Sequence, residues 1–158
     1  MAAIIYPGTF DPITHGHVDL VTRASKLFDR VIIAVAQSDK KQPLFNLEER
    51  IELCKQSFAG IPGIEYVSFT GLTIDLAERL DCYTFLRGVR AVADYEYELQ
   101  LARMNRAMNG KVDTVFLTPG EGLSHVSSSL LREVASMGGD VSRFVPPHVL
   151  EALNGKFG

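Results

Sequence analysis

Short apolar runs alternate with longer amphipathic segments along the chain. Five of the runs contain little polar alternation, which is typical of strands that are covered on both faces of a sheet. They lie at residues 2–6, 30–36, 64–69, 83–86 and 114–117. Between and after these runs, apolar residues recur with the spacing of a helix face near residues 16–28, 47–59, 73–81, 91–109, 127–137 and 147–154.

This alternation predicts an α/β fold with a five-stranded parallel sheet and helices on both faces. Parallel neighbours of this kind are joined by right-handed helical crossovers. The 158 residues suit a single doubly wound domain over 1–158, and no repeat or linker divides them. Ligands of such sheets bind beyond the carboxyl ends of the strands, so the informative residues should follow each strand directly.

Composition excludes several classes of protein. With 46% hydrophobic residues the chain is not disordered, and no apolar run approaches the ~20 residues of a membrane-spanning helix. The start of the chain has no basic region, which argues against a signal peptide. Cys54 and Cys82 form no CxxC pair, so we expect reduced, packed thiols in a cytoplasmic protein and no metal held by side chains.

The charge balance gives no overall signal for nucleic-acid binding. The 16 lysines and arginines are outnumbered by 19 aspartates and glutamates, and the net charge is −3. Any anion that the protein binds must therefore meet a local cluster of positive charge.

The loop after the first strand is suited to an anion. Gly8 and Gly16 allow a ligand to approach the backbone closely. We expect Thr14 to cap a helix that begins near Gly16, so that free N–H groups and the positive end of the helix dipole face the loop. His17 in the first turn would add an imidazole donor. The alternative is a tight strand-to-helix turn with no ligand.

The loop after the second strand carries two adjacent lysines, Lys40 and Lys41. Asn46 and Glu49 fit a capping box, which fixes the start of the next helix and leaves both lysines on the loop. A lysine at the ligand edge of the sheet could neutralise phosphate charge. The alternative is a solvated surface pair.

Two arginines, Arg87 and Arg90, flank Gly88 after the fourth strand, at the predicted start of a helix. Arginines in that position oppose the helix dipole, so stability does not account for them, whereas an anion bound between them would. The alternative is that either arginine pairs at the surface with Asp94 or Glu98.

Three serines, Ser127, Ser128 and Ser129, open the helix after the fifth strand, and Arg132 follows within one turn. Their hydroxyls and the free N–H groups of the helix could cradle phosphate groups. The alternative is an ordinary serine N-cap.

These segments together carry a resemblance to a known family. GTFDP at residues 8–12, followed by Thr14-x-Gly16-His17, resembles the T/HxGH signature of the nucleotidylyltransferase superfamily. The lysine before PxFxxEER, then RGxRxxxDxEYE and SSSxxR, follow in order along the whole chain. With these additions the chain is similar to the bacterial phosphopantetheine adenylyltransferases, which make dephospho-coenzyme A and pyrophosphate from ATP and 4′-phosphopantetheine.

The resemblance implies a Rossmann-like hexamer that uses Mg²⁺ carried with ATP and binds coenzyme A as a feedback inhibitor. It implies that phosphopantetheine or its phosphate contacts Thr9, Lys41, Thr73 and Arg87. It implies further that ATP is surrounded by Thr9, Phe10, His17, Gly88, Val89, Arg90, Glu98, Leu123, Ser124, His125, Val126, Ser127, Ser128, Ser129 and Arg132. Leu123 and His125 stand where relatives often have bulkier or aromatic residues, and Val126 stands where isoleucine is common.

The reaction implied is an in-line attack of the acceptor phosphate on the α-phosphorus of ATP. It needs no general base, and the loops contain no nucleophile–base–orienter set of the kind that covalent catalysis uses. We therefore expect catalysis by positioning and charge stabilisation, with His17, Lys41 and Arg90 as the catalytic residues. His17 and Lys41 would serve the α-phosphate, Arg90 and Arg132 the β- and γ-phosphates, and Arg87 with Lys41 the acceptor.

The segment 91–109 carries two apolar stripes instead of the one that a surface helix needs. The first comprises Val92, Tyr95, Leu99 and Ala102, and the second Tyr97, Leu101, Met104 and Met108. We expect one stripe to pack on the sheet and the other on a neighbouring subunit. The alternative is a helix buried within its own domain.

Two other functions stay open on the sequence. One is a nucleotidylyltransferase with a different phosphorylated acceptor, and the other is a module that binds ATP without turnover. Such a module would need the glycines and serines but not His17 together with Lys41, so the presence of both favours an enzyme.

Overall fold

The computed structural model describes residues 2–37, 42–118, 120 and 126–158, except for the side chain of Ala93. The strands are β1 (Ala3–Gly8), β2 (Arg30–Ala36), β3 (Ile64–Phe69), β4 (Thr84–Gly88) and β5 (Asp113–Leu117). The helices are α1 (His15–Leu27), α2 (Leu47–Ser57), α3 (Thr73–Leu80), α4 (Val92–Met108), α5 (Ser128–Ser136) and α6 (Pro147–Phe157). None of these helices combines the length and the apolar content that crossing a membrane requires.

The five strands form one sheet in the order β3-β2-β1-β4-β5, and each neighbouring pair is parallel. The predicted five-stranded parallel sheet is thus confirmed. From β1 the chain builds outward to β3 on one side and then to β5 on the other, so the strand order reverses between β1 and β4. In sheets of this kind the reversal opens a crevice beyond the carboxyl ends of those two strands.

Helices cover both faces of the sheet, as predicted, because successive strand residues point to opposite sides. Ile4 and Ile33 belong to a large apolar cluster that includes residues of α1, α2, α5 and α6. Ile5 and Ile32 belong to a smaller cluster that includes residues of α3. All four side chains are at most 2% exposed, which explains why the central strands appear in the sequence as continuous apolar runs.

The predicted end of β4 was wrong. The sequence ended this strand before Arg87 and placed Gly88 at the start of a helix. In the structure Gly88 is still paired with Leu117 of β5, and the Val89 N–H donates to the Leu117 carbonyl at 3.0 Å. Helix α4 begins at Val92, within one residue of the start at 91 that the apolar spacing predicted. Glycine is a weak strand former, but pairing with β5 extends the strand through Arg87 and Gly88.

The expected packing of α4 on the sheet is confirmed only in part, since Tyr95 of the first stripe contacts Phe116 of β5 with ring centroids 5.8 Å apart. Among its described side chains the least exposed are Glu98 and Asn105, at 7% and 8%, which belong to neither apolar stripe. The inward face of α4 is therefore partly polar. Its large apolar residues Val92, Tyr95, Tyr97, Met104 and Met108 are all exposed, so α4 is not buried within its own domain either.

The two cysteines are packed and unpaired, as predicted. Cys54 and Cys82 are both buried and free. Burial raises the pKa of the Cys54 thiol to about 12, against a smaller opposing effect of the Arg50 charge, so this thiol stays protonated.

Candidate active site

A cleft opens between the carboxyl ends of β1 and β4, where the strand order reverses. This central cleft has a volume of about 220 Å³. Segments that are far apart in the sequence meet in it, from the β1 loop, α1, β4, α4 and the start of α5. Its lining comprises Tyr6, Pro7, Gly8, Phe10, Thr14, Gly16, His17, Leu20, Arg87, Gly88, Arg90, Glu98, Val126, Ser127 and Ser128.

His17 and Thr14 cap the start of α1 together. The Thr14 hydroxyl accepts a hydrogen bond from the His17 backbone N–H, which confirms the predicted N-cap. In return, the Thr14 backbone N–H donates to His17 Nδ1 at 2.9 Å. A ring nitrogen that accepts this bond carries no proton, so the neutral imidazole has its proton on Nε2.

The surroundings of His17 keep its ring neutral. Burial lowers the pKa of His17 to about 4, and the positive charges of Arg90 and Arg87 act in the same direction. The ring centroid lies 5.1 Å from that of Phe10 and 6.2 Å from that of Tyr6. At neutral pH the His17 ring therefore presents an Nε2–H donor to the cleft and carries no positive charge.

The β1 loop packs tightly beneath this ring. Phe10 is 3% exposed and has a φ of 51°, a left-handed conformation that costs energy for a residue with a side chain. A Cβ atom on Gly8 would lie 3.0 Å from the Phe10 ring, and one on Gly88 would lie 2.6 Å from Leu20 Cδ1. Glycine at these two positions allows the loop and α1 to approach the strand ends.

On the opposite wall, both arginines are paired with carboxylates of α4. Arg87 Nε and Nη2 each donate to a Glu98 oxygen at 2.7 Å, and Nη1 donates to the Pro7 carbonyl at 3.1 Å. Arg90 Nε lies 3.2 Å from Asp94. The pairing that the sequence left as an alternative is thus present. Burial lowers the pKa of Arg87, but its hydrogen bonds to Glu98 and the Glu98 charge outweigh this, so the pKa is raised and the guanidinium stays charged.

A second space, the outer cavity, adjoins the central cleft and measures about 320 Å³. Phe10, His17 and Ser128 line both spaces, so an extended ligand could pass from one to the other beside the His17 ring. The complete lining of the outer cavity comprises Thr9, Phe10, Asp11, His17, Gln42, Pro43, Ser128, Ser129 and Arg132.

The three serines at the start of α5 make three different contacts. Ser127 is the N-cap and accepts a backbone N–H at 3.1 Å, so the ordinary cap left as an alternative accounts for it. Ser128 Oγ donates to the Pro12 carbonyl at 2.8 Å and fixes the helix to the β1 loop. Ser129 is exposed, and Arg132 Nη2 donates to its hydroxyl at 3.4 Å.

A third and smaller space, the inner cavity, measures about 20 Å³. Arg87 and Glu98 line it as well as the central cleft. Thr73, the first residue of α3, therefore shares a cavity with Arg87. The full lining comprises Pro7, Thr73, Phe85, Arg87, Glu98, Leu101, Ala102, Asn105 and Thr114.

Two buried charged residues were not singled out from the sequence. Asp11 is 2% exposed and its carboxylate accepts the backbone N–H groups of residues 44 and 45. Arg50 is 2% exposed and donates to three carbonyl groups, those of Thr9, Ala36 and Phe45. Both stand in the strings that carry the resemblance, GTFDP and PxFxxEER, which was the one available signal.

The remaining candidates are not placed in a cavity. Lys41, Leu123, Ser124 and His125 lie outside the described residues. Val89 is described but does not line any of the three spaces, and its N–H pairs with β5.

The described carboxylates of the cleft are engaged by protein donors. Asp11 accepts two backbone N–H groups, Glu98 pairs with Arg87, and Asp94 pairs with Arg90. Within the ranges that the structure describes, no group of three or more His, Cys, Asp or Glu side chains is placed to hold a metal ion. These residues do not form a protein cage for Mg²⁺.

The chain is similar to known proteins over almost its whole length. Residues 5–134 match the cytidylyltransferase-like family. The chain is 54% identical to a phosphopantetheine adenylyltransferase of Methylococcus capsulatus over 153 residues, which cover 97% of this chain and 94% of the relative. The fold resembles a solved structure assigned as a nicotinate-nucleotide adenylyltransferase from Vibrio parahaemolyticus, with a TM-score of 0.70 and 18% identity over 97% of this chain and 99% of that one. The protein therefore belongs to the cytidylyltransferase-like family and, within it, to the phosphopantetheine adenylyltransferases.

Proposed function

We propose that the protein transfers the adenylyl group of ATP to 4′-phosphopantetheine, forming dephospho-coenzyme A and pyrophosphate in coenzyme A biosynthesis. The observation that carries the proposal is the meeting of His17, Arg87 and Arg90 in one cleft that continues into a cavity lined by Arg132. Two polyanionic substrates need such a concentration of cations and N–H donors. The 54% identity to a phosphopantetheine adenylyltransferase over almost the whole chain supports the choice of acceptor.

The transfer proceeds by in-line displacement at the α-phosphorus. A phosphate oxygen of the acceptor forms the new P–O bond, the bond to the bridging oxygen of pyrophosphate breaks, and pyrophosphate leaves with the electron pair. A phosphate monoester has its second pKa near 6 and is largely dianionic at pH 7, so no residue needs to take a proton. The protein contributes position and charge stabilisation.

His17 stabilises the charge that develops on the α-phosphate. Its Nε2–H is the free donor, because Nδ1 is engaged by Thr14. A donor that is oriented before the substrate binds needs no reorganisation during the reaction. Lys41 is assigned to the same phosphate on the strength of the resemblance.

The arginines hold the two substrates on either side of His17. Arg90 in the central cleft and Arg132 in the outer cavity bind the β- and γ-phosphates. Arg87 orients the acceptor phosphate, since it stands between the central cleft and the inner cavity that Thr73 lines. Arg87 and Arg90 must share or leave their carboxylate partners when these anions bind.

Mg²⁺ enters the site as part of the nucleotide substrate. The carboxylates near the described cleft already have protein partners. Mg²⁺ usually keeps several waters and takes few protein ligands when phosphates are present, so the phosphates of ATP are its expected ligands.

The protein assembles into an oligomer, the hexamer that the resemblance implies, in the cytoplasm. Tyr97, Met104 and Met108 of the second stripe are 64%, 58% and 45% exposed, and apolar side chains grouped in this way favour contact with another subunit. Light scattering at micromolar concentration tests this point, and a monomeric mass would contradict it. Coenzyme A contains the phosphopantetheine arm of the acceptor and would compete for the same cavities.

Pyrophosphate release measured with ATP and a panel of phosphorylated acceptors tests the proposed function. Release that requires 4′-phosphopantetheine is the expected result. Release with a mononucleotide or a sugar-alcohol phosphate instead would assign another acceptor. ATP binding without release with any acceptor would identify a binding module.

A further inference from the structure

A buried carboxylate joins two sides of the outer cavity. Asp11 Oδ2 accepts the Leu44 N–H at 2.8 Å, and Oδ1 accepts the Phe45 N–H at 2.9 Å. On its other side, Arg132 Nη1 donates to the Asp11 backbone carbonyl and lies 3.7 Å from Oδ2. One residue of the β1 loop therefore contacts both the segment before α2 and the cation supplied by α5.

The same segment is held from its opposite edge by Arg50. Arg50 Nε donates to the Phe45 carbonyl at 3.0 Å, while Asp11 takes the N–H of that residue. Arg50 Nη1 also donates to the carbonyls of Thr9 and Ala36. Both buried charges therefore contact Phe45, through different peptide groups, but within the described residues only Asp11 also contacts Arg132.

We infer that Asp11 is a positioning residue for the reaction, acting through Arg132. This inference rests on the proposed function. Both carboxylate oxygens of Asp11 are occupied by backbone donors and the residue is 2% exposed, so it does not bind substrate itself. Its contacts fix the Arg132 guanidinium against the outer cavity and hold the wall formed by Gln42 and Pro43.

The same carboxylate also offsets part of the charge of Arg132. Asp11 therefore orients the Arg132 guanidinium but weakens its attraction for the triphosphate, because the carboxylate oxygen and the phosphates compete for the same guanidinium. Removing the charge should disturb the transition state more than the ground state. A misplacement of about 1 Å in a substrate-positioning group can cost about 10²-fold in rate.

The test is a double-mutant cycle on pyrophosphate release with ATP and 4′-phosphopantetheine. Asp11→Asn keeps the size of the side chain, removes its charge and replaces one of its two acceptor oxygens by an amide donor. We expect its kcat to fall by about 10- to 100-fold, with the KM for ATP unchanged or lower. In an Arg132→Lys background the same change should have much less effect, because Arg132 transmits it. Asp11→Glu restores the charge one methylene further out and should recover part of the kcat.

Arg50→Lys is the matched control, because it alters the hydrogen bonds of an equally buried residue that also contacts Phe45, without changing a residue in contact with Arg132. Its effect should combine additively with that of Arg132→Lys, within about twofold. The melting temperature of each variant separates loss of folded protein from loss of rate. If Asp11→Asn does not fold, Asp11→Glu takes its place in the double-mutant cycle with Arg132→Lys. A kcat within about twofold of wild type, or a loss that adds fully to that of Arg132→Lys, would overturn the inference. Wild-type protein that releases no pyrophosphate would instead refute the proposed function.

Discussion

The two walls of the central cleft present their hydrogen-bond donors in opposite ways. On the α1 wall, His17 is held by the backbone of Thr14, its pKa is lowered by burial, and its Nε2–H has no need to change partner when a ligand arrives. On the β4–α4 wall, Arg87 is engaged by Glu98 through two bonds of 2.7 Å, and Arg90 lies against Asp94.

The difference indicates a division of roles. A donor fixed in advance and carrying no charge contributes most where charge develops in the transition state. An arginine paired with a carboxylate contributes only the difference between its bonds to the ligand and its bonds to that carboxylate. We therefore expect changes on the α1 wall to act on turnover, and changes on the β4–α4 wall to act on binding and stability.

The largest effect is expected from His17→Ala. Removal of a single preorganised donor to a developing charge typically lowers turnover by about 10²–10³-fold. Pyrophosphate release at saturating ATP and 4′-phosphopantetheine measures it, and the KM values should change much less than kcat.

The matched control is His148→Ala. His148 lies on α6, where its Nε2 is 2.8 Å from Ser57 Oγ, and it lines none of the three spaces. Turnover of this variant should stay near that of the wild type. Near wild-type turnover of His17→Ala would remove the contrast between the walls.

The next largest effect is expected in the stability of Arg87→Met. The substitution leaves Glu98, which is 7% exposed, without the two donors that it has now. Loss of one partner of a buried, hydrogen-bonded charge pair costs about 2 kcal/mol or more in the free energy of unfolding. Urea denaturation at a fixed protein concentration measures this quantity.

The double variant Arg87→Met, Glu98→Leu sharpens the same test. An apolar pair of similar volume often replaces a buried ion pair at little cost, so the second substitution should recover most of the lost stability. If both proteins are equally destabilised, the loss comes from packing around Arg87 and not from an unpaired Glu98.

The two walls also differ in how much of each could be predicted from the sequence. The cap of α1 was predicted correctly because it depends on Thr14 and His17, three residues apart, and on local helix chemistry. The position of Arg87 was missed because pairing with β5 decides it, and that strand lies far along the chain. The central strands β1 and β2 were recognised because burial on both faces leaves an apolar run in the sequence.

The contacts that Asp11 and Arg50 make beside the site could not be predicted for the same reason. Asp11 contacts residues 33 and 34 positions away, and Arg50 contacts Thr9 at 41 positions. Such contacts exist only after the sheet has formed. The burial of Glu98 and Asn105 on the inward face of α4 was not predicted, because they line a cavity at the sheet and apolar patterning does not identify buried polar residues.

A smaller effect on the α1 wall is expected from pH. The ordinary pKa of histidine is about 6.5, whereas burial lowers the pKa of His17 to about 4 in the folded protein. As the pH falls from 6.5 towards 4, the unfolded chain takes up a proton that the native ring does not, so stability is lost over this range.

Comparison with His17→Gln isolates this contribution, because glutamine does not titrate. The unfolding free energy of the wild type should fall relative to the variant by about 1 kcal/mol between pH 7 and pH 5, given the partial exposure of the residue. Parallel pH profiles for the two proteins would show that the ring is not held neutral.

The smallest effect, and the one that separates the walls most directly, is expected from Asp94→Asn. The Arg90–Asp94 pair is about one-third exposed, at 35% and 34%, and joins the loop before α4 to the first turn of that helix, so its loss should change the free energy of unfolding by less than about 0.5 kcal/mol. Because Arg90 is then released for the triphosphate, the KM for ATP should fall about twofold at low salt, and the gain should fade at about 0.3 M salt. Glu96→Gln is the control, since it makes the same change of charge on an exposed residue of α4 that has no ion pair within the described chain. A KM for ATP that rises in Asp94→Asn and not in Glu96→Gln would mean that Asp94 orients Arg90 for the nucleotide, and the β4–α4 wall would then be as preorganised as the wall that carries His17.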